Sequence, residues 1–203
     1  MSRGRPDGDW VWPEVEPAAG RIRLRAFGDD DVAAVRALAA DEYVPQVTTL
    51  AARADAAEAR RWMAVQRART TERVGFSFAI ARAGDDACLG YAGLWLRELS
   101  AGTATGGFAV VPEHRRRGFA ADGLRALTAF AWTRPGVERV QLHIEPGNIA
   151  SRRTALAAGY REVGLLPASR EIAGRLRDVN VFEAQRASWA GVSPPSRSPS
   201  VSR

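Results

Sequence analysis

The sequence predicts an α/β domain built on a mixed sheet with helices on both faces. Three observations predict it. Apolar alternation and helical periodicity follow each other in the order β-α-α-β-β-β-α-β-α-β-β. Residues 104–132 pass from a strand through an arginine-rich turn straight into an amphipathic helix. A chain of 203 residues with 46% apolar content can bury one core of ordinary size.

Each element has its own signal. Residues 1–20 read as a Pro-containing tail whose Trp10 and Trp12 are expected to pack on a domain spanning 21–187. Residues 21–27 form a strand in which Ile22 and Leu24 alternate with arginines. Residues 29–40 form a helix opened by three acids, where the helix dipole favours negative charge. A second helix is expected over 55–71, with Trp62 and Val65 on its buried side. Strands 76–82 and 89–96 are joined by the turn Gly84, Asp85, Asp86. Strand 105–111 ends at Pro112, which has no N–H for a ladder. The next helix puts Ala120, Leu124, Leu127 and Ala131 on one face, and Pro135 and Gly136 stop it. Residues 137–144 alternate as a strand, and a helix then runs to Gly159. Strands 161–166 and 179–185 close the domain around a longer loop, 167–177. Residues 188–203 are a tail. Within it, 190–203 are Ser/Pro-rich with almost nothing to bury, and are expected to be disordered.

The formal net charge is +6, and every one of the 29 Lys and Arg positions is Arg. Residues 1–20 carry two Arg against four acids and 190–203 carry two Arg, so the excess sits in the domain. A polyanionic cofactor accounts for part of it, and nucleic acid is the other class of partner such charge fits. No apolar run approaches the roughly 18 residues of a membrane span. The N-terminus lacks the apolar middle of a signal peptide. Cys88 is the single cysteine, which excludes an internal disulfide. A cytoplasmic protein is expected. His114, His143 and Cys88 have no ligand spacing, so no metal is expected. His114 reads as a surface residue.

The arginine turn holds Arg115, Arg116, Arg117, Gly118, Phe119 and Ala120. A helix start offers unpaired N–H groups and a partial positive charge, so it attracts phosphate. Gly118 lets the backbone approach a ligand closely, and small Ala120 keeps that approach open. The pattern R-x-x-G-x-A after a strand resembles the acyl-CoA pyrophosphate loop of the GNAT N-acetyltransferase superfamily, Q/R-x-x-G-x-G/A. About thirty residues on, Asn148, Ser151, Gly159 and Tyr160 match that family's N-x-x-S-x-x-x-x-x-x-x-G-[FY] segment. The resemblance spans about 21–186. It is greatest to the branch that acetylates ribosomal-protein N-termini, through RIRLRAF, GDDDVAAV and GRLRDVNVFEAQ with its Asp178.

The resemblance implies a GNAT-type fold: a mixed, mostly antiparallel sheet whose strands 105–111 and 137–144 splay apart to admit acyl-CoA. It implies that backbone at Phe108, Ala109 and Val110 holds the pantetheine and faces the thioester. It assigns the pyrophosphate to Arg115, Arg116, Arg117, Gly118, Phe119, Ala120 and Ala121, and the pantetheine arm to Asn148 beside Ser151. The implied reaction moves an acetyl group from acetyl-CoA to a primary amine, a protein N-terminus being one acceptor. An aminoglycoside or polyamine is the alternative acceptor, and a non-catalytic acyl-CoA-binding or nucleic-acid-binding module the alternative of another class. Neither a membrane nor nucleic acid is expected as a partner, and the chain is expected to be a monomer or homodimer.

Acetyl transfer needs an oxyanion donor, a proton for the departing sulfur and an acceptor for the amine's proton. The Val110 N–H is the candidate oxyanion donor. Ser151, one helical turn after Asn148, is the candidate at the sulfur. Many family members carry a Tyr seven residues after the Asn, where this chain has Ala155. Relatives that act on α-amines carry a Glu five residues before the Asn, where this chain has His143. A histidine with pKa near 6.5 can take a proton at neutral pH. Glu145, on the same strand face as Gln141 and His143, is the next candidate. Asp41 and Glu42 in loop 41–52, and Glu171 in loop 167–177, are candidate amine contacts.

Overall fold

The structure is a computed structural model, and it describes residues 10–189. The expected disorder of 190–203 lies outside the described residues. Eight strands form one sheet in the order β1-β2-β3-β4-β5-β6-β8-β7. They are β1 (Ala18–Ala19), β2 (Ile22–Arg25), β3 (Gly75–Arg82), β4 (Cys88–Trp95), β5 (Thr103–Val110), β6 (Arg139–Ile144), β7 (Arg161–Ile172) and β8 (Arg175–Gln185). All neighbours pair antiparallel except β5 and β6, which are parallel. The helices are α1 (Val32–Ala39), α2 (Val44–Val47), α3 (Ala56–Ala68), α4 (Phe119–Trp132) and α5 (Ile149–Ala157).

Two apolar cores lie on opposite faces of the sheet. Leu124, Leu127 and Phe130 of α4 pack with Ile22, Leu24, Phe76 and Phe78. The Phe130 ring stands edge-on to Phe76 and Phe78, at 4.9 and 5.3 Å between centroids. Trp10 stacks on Phe76 and Trp12 tilts over Phe78, so the expected packing of the tail is present. On the other face, α1 and α3 bury Val35, Leu38, Trp62 and Met63 against Phe27 and Tyr91. Asp55 caps α3, accepting from the Glu58 N–H at 2.8 Å while Glu58 accepts from the Asp55 N–H at 2.9 Å.

Two expectations need correction. Val65 is 53% exposed. The buried stripe of α3 runs through Ala59, Trp62, Met63 and Gln66, and Val65 falls outside it. Segment 167–177 is not a loop, because β7 and β8 continue through it as a hairpin with Arg170↔Arg177, Glu171↔Leu176 and Ile172↔Arg175 paired. Ala173 and Gly174 turn it, with φ of 50° and 72°. Two successive positive φ values suit the right-handed twist of a tight hairpin. Pro167 sits within the register shift between Leu166 and Arg170, where a residue without an N–H is tolerated. The Ala168 N–H there is taken up by Asp178, at 2.8 Å.

Candidate active site

The site begins where β5 and β6 part. Their parallel pairing covers only Thr103↔Arg139 through Thr105↔Gln141. Beyond it, β5 follows β4 as far as Val110↔Gly90, and β6 follows β8 as far as Ile144↔Asn180. A wedge therefore opens between them. The Val111 N–H donates to the Leu89 carbonyl at 2.9 Å. Successive peptide units alternate sides of a strand, so the Val110 N–H and C=O face the wedge. The wedge leads into a cleft of about 1340 Å³, walled by Phe108, Ala109 and Val110 on one side and by Asn148 and Ser151 on the other.

The start of α4 closes one end of this cleft. Gly118 has φ 84°, and an added Cβ would meet nothing nearer than the Arg21 Nη2 at 3.6 Å. Backbone conformation, rather than crowding, is what requires glycine here. The first helical bond runs from the Asp122 N–H to the Gly118 carbonyl, at 3.1 Å. The N–H groups of Phe119, Ala120 and Ala121 precede it, so they have no partner within the helix, and all three residues line the cleft. Unpaired amides at a helix start fit a pyrophosphate.

The three arginines divide the work. Arg115 turns inward, its Nε donating to the Val110 carbonyl at 2.9 Å and its Nη2 to Asp41 Oδ2 at 2.7 Å. Arg116 lies on the cleft wall, and Arg117 lies outside it. The Arg117 carbonyl accepts from Arg21, whose guanidinium sits 4.8 Å from the centre of the Phe119 ring. His114 is half-buried on the cleft wall rather than on the open surface, with Nε2 3.3 Å from Glu113 Oε1.

Of the candidate acceptor residues, only Asp41 lines the cleft; Glu42 and Glu171 are exposed and lie off its wall. Asp41 Oδ1 accepts from the N–H groups of Tyr43 and Val44, each at 2.9 Å, in an Asx-type turn that leads into α2. Burial works to raise the Asp41 carboxyl. The Val44 and Tyr43 amides and Arg115 outweigh it and hold the group below the usual range.

His143 and Glu145 share a strand face, but only Glu145 reaches the cleft. Burial, helped by the charge on Arg170, lowers the His143 pKa against a smaller opposing effect of Glu98. Its Nε2 is buried without a hydrogen-bond partner. Asn148 Oδ1 caps α5 by accepting the Ser151 N–H at 3.0 Å. The Ser151 hydroxyl, on the cleft wall, has no hydrogen-bond partner among the described residues.

One cleft residue has no motif to announce it. The Tyr43 hydroxyl donates to Glu145 Oε2 at 2.8 Å. Burial is the main cause of a raised Tyr43 pKa. The available signal is local: Asp41 followed by Pro45 in a first helical turn marks α2, and Tyr43 stands immediately before it. Among the described residues, no group of three or more His, Cys, Asp or Glu is placed to hold a metal ion. No helix there is long and apolar enough to cross a membrane.

Comparison with known proteins agrees with this geometry. A family model described as acetyltransferase (GNAT) domain matches residues 21–161. Uncharacterized N-acetyltransferase p20 of Bacillus licheniformis is 23% identical over 171 residues, covering 84% of this chain and 96% of that protein. The structure of Mycobacterium smegmatis RimJ in complex with CoA-disulfide superposes with TM-score 0.72 at 21% identity, covering 88% of this chain and 90% of that one. RimL, the ribosomal L7/L12 α-N-protein acetyltransferase, in complex with coenzyme A, gives TM-score 0.67 at 18% identity, covering 85% of this chain and 98% of that one. The chain belongs to the GNAT acetyltransferase family.

Proposed function

We propose that this GNAT acetyltransferase acts on the α-amine of a protein or peptide N-terminus, with acetyl-CoA as donor. The observation that carries the donor half is the wedge between β5 and β6, with the Val110 N–H at its edge and the unpaired amides of Phe119–Ala121 at its end. When bound, acetyl-CoA supplies an activated acetyl thioester. Its pyrophosphate is held by the start of α4 and Arg116, and its pantetheine arm by the edge of β5 and Asn148. The Val110 N–H points where oxyanion charge develops, a fixed donor that needs no reorganisation.

The acceptor half rests on the shape of the other end. Leu176, Arg177 and Asp178 of β8 line the cleft together with Val44 of α2 and Tyr43 just before it. Leu176 is 65% exposed. An open mouth between a hairpin and a short helix suits the end of an extended chain, and RimL is named for acting on such an end. Glu145 takes the proton of the attacking amine. It lies on the cleft wall, 4.0 Å from the Arg177 Nε at its Oε1. The test is a panel of peptides with free α-amines, spermidine and an aminoglycoside, each with acetyl-CoA, followed by thiol release. Turnover should appear with peptides. Turnover confined to spermidine or the aminoglycoside contradicts the acceptor reading, and failure to bind acetyl-CoA contradicts the donor reading.

A further inference from the structure

The segment from Asp41 to Tyr43 bridges the two parted strands. At one end Asp41 is held by Arg115, which is itself fixed on the Val110 carbonyl of β5. At the other end the Tyr43 hydroxyl donates to Glu145, just past β6, and Asn148 at the start of α5 lines the same cleft. A phenol is thus fixed on a carboxylate in the cleft that also carries the residue expected beside the pantetheine arm. Ser151 lies on the same wall, but its hydroxyl has no acidic neighbour bonded to it that can restore a lost proton.

We propose that Tyr43 is the proton donor to the departing sulfur, and that Glu145 resupplies it with the proton taken from the amine. This rests on the acetyl-transfer reading. As the C–N bond forms, Glu145 accepts a proton from the amine nitrogen. As the C–S bond breaks, Tyr43 gives its phenolic proton to the sulfur and recovers one from Glu145 across their 2.8 Å hydrogen bond. One proton leaves nitrogen, one reaches sulfur, and both side chains return to their starting states. The burial that raises the Tyr43 pKa keeps the phenol protonated, as a donor must be. Arg177 remains beside Glu145 when the phenol turns to the sulfur.

Binding tests this without turnover. CoA and desulfo-CoA differ at the thiol, and at pH 9 CoA presents a fraction of thiolate for a hydrogen-bond donor to select. Wild type should prefer CoA by about tenfold there, the scale of one hydrogen bond to a charged acceptor. Tyr43→Phe should bring that ratio to about one while leaving desulfo-CoA affinity unchanged, which also shows that the variant is folded. Glu145→Gln should keep or enlarge the preference, because the carboxylate no longer competes for the phenolic proton. With an accepted amine, Tyr43→Phe should lower kcat on the order of a hundredfold, with KM for acetyl-CoA unchanged. Should Tyr43→Phe lose desulfo-CoA binding, 3-fluorotyrosine at position 43 is the second probe, and its more acidic phenol should raise the CoA preference. A preference that survives in Tyr43→Phe, that is unmoved by 3-fluorotyrosine, or that wild type lacks overturns the proposal. If wild type binds neither compound, the acetyl-CoA reading falls as well.

Discussion

Gly118→Val separates the cost of a strained backbone from the loss of a ligand. Gly118 holds φ 84° with open space where a side chain would go, so the cost of valine there is conformational. Placing a non-glycine residue in the left-handed region costs roughly 1–2 kcal/mol. For a domain of this size each kcal/mol moves the melting temperature by about 2–4 °C, so the unliganded variant should melt roughly 2–8 °C lower. The ligand effect is separate. At a concentration 100 times Kd, acetyl-CoA should stabilise wild type by about 2.7 kcal/mol, or roughly 5–11 °C. Gly118 lines the cleft, and relieving the strain of valine there would shift the turn that presents the Phe119, Ala120 and Ala121 amides. A hundredfold loss of affinity leaves about 0.4 kcal/mol at the same concentration, a shift of roughly 1–2 °C. Thermal melts of both proteins, with and without acetyl-CoA, measure all four values. A variant that melts lower yet keeps the full ligand shift would refute the placing of the pyrophosphate at α4.

Asp41→Ala removes the acceptor of the Tyr43 and Val44 amides and the partner of Arg115, and should cost about 1 kcal/mol, or about 2–4 °C by calorimetry at pH 7. Because the Asp41 carboxyl is held below its ordinary value, its contribution is complete above about pH 3.9 and fades as pH falls through the lowered folded value, so the gap between the two proteins should close in acid. Glu145→Gln should lower kcat on the order of a hundredfold, while His143→Gln, whose ring lies off the cleft wall, should keep wild-type turnover within about threefold and leave the rising limb of the pH–rate profile in place. Loss of that limb in His143→Gln, compared with one acceptor, would return the base role to the histidine. Duplex DNA should bind weakly and be released near physiological salt if the arginine turn serves one short polyphosphate, as proposed; tight binding in filter or anisotropy assays at that salt would favour a nucleic-acid module.

Much of the fold is legible because its signals are local. Alternation in 137–144 shows which side of β6 is buried, and Pro112 marks the end of β5. The R-x-x-G-x-A run gives the helix start that faces the cleft. The extended hairpin was hidden by Pro167, which reads as a strand end although the bulge at Leu166/Arg170 accommodates it. Val65 is apolar and one turn from Trp62, yet the packing centre of α3 lies elsewhere. The site is harder to read because its decisive contacts are long-range. Arg115 meets Asp41 across 74 positions and Tyr43 meets Glu145 across 102. No periodicity in the sequence encodes either pairing. The arginine nearest the motif's start reads as a phosphate ligand, and only the wedge shows it bracing the Val110 carbonyl.

The most direct measurement is mass spectrometry of a peptide with a free α-amine and no lysine after incubation with the protein and acetyl-CoA. The peptide should gain one acetyl group, located on the N-terminal nitrogen by fragmentation, with release of an equal amount of CoA thiol. An unmodified peptide across a panel of N-terminal residues, from protein whose melting temperature acetyl-CoA does not move, would contradict it.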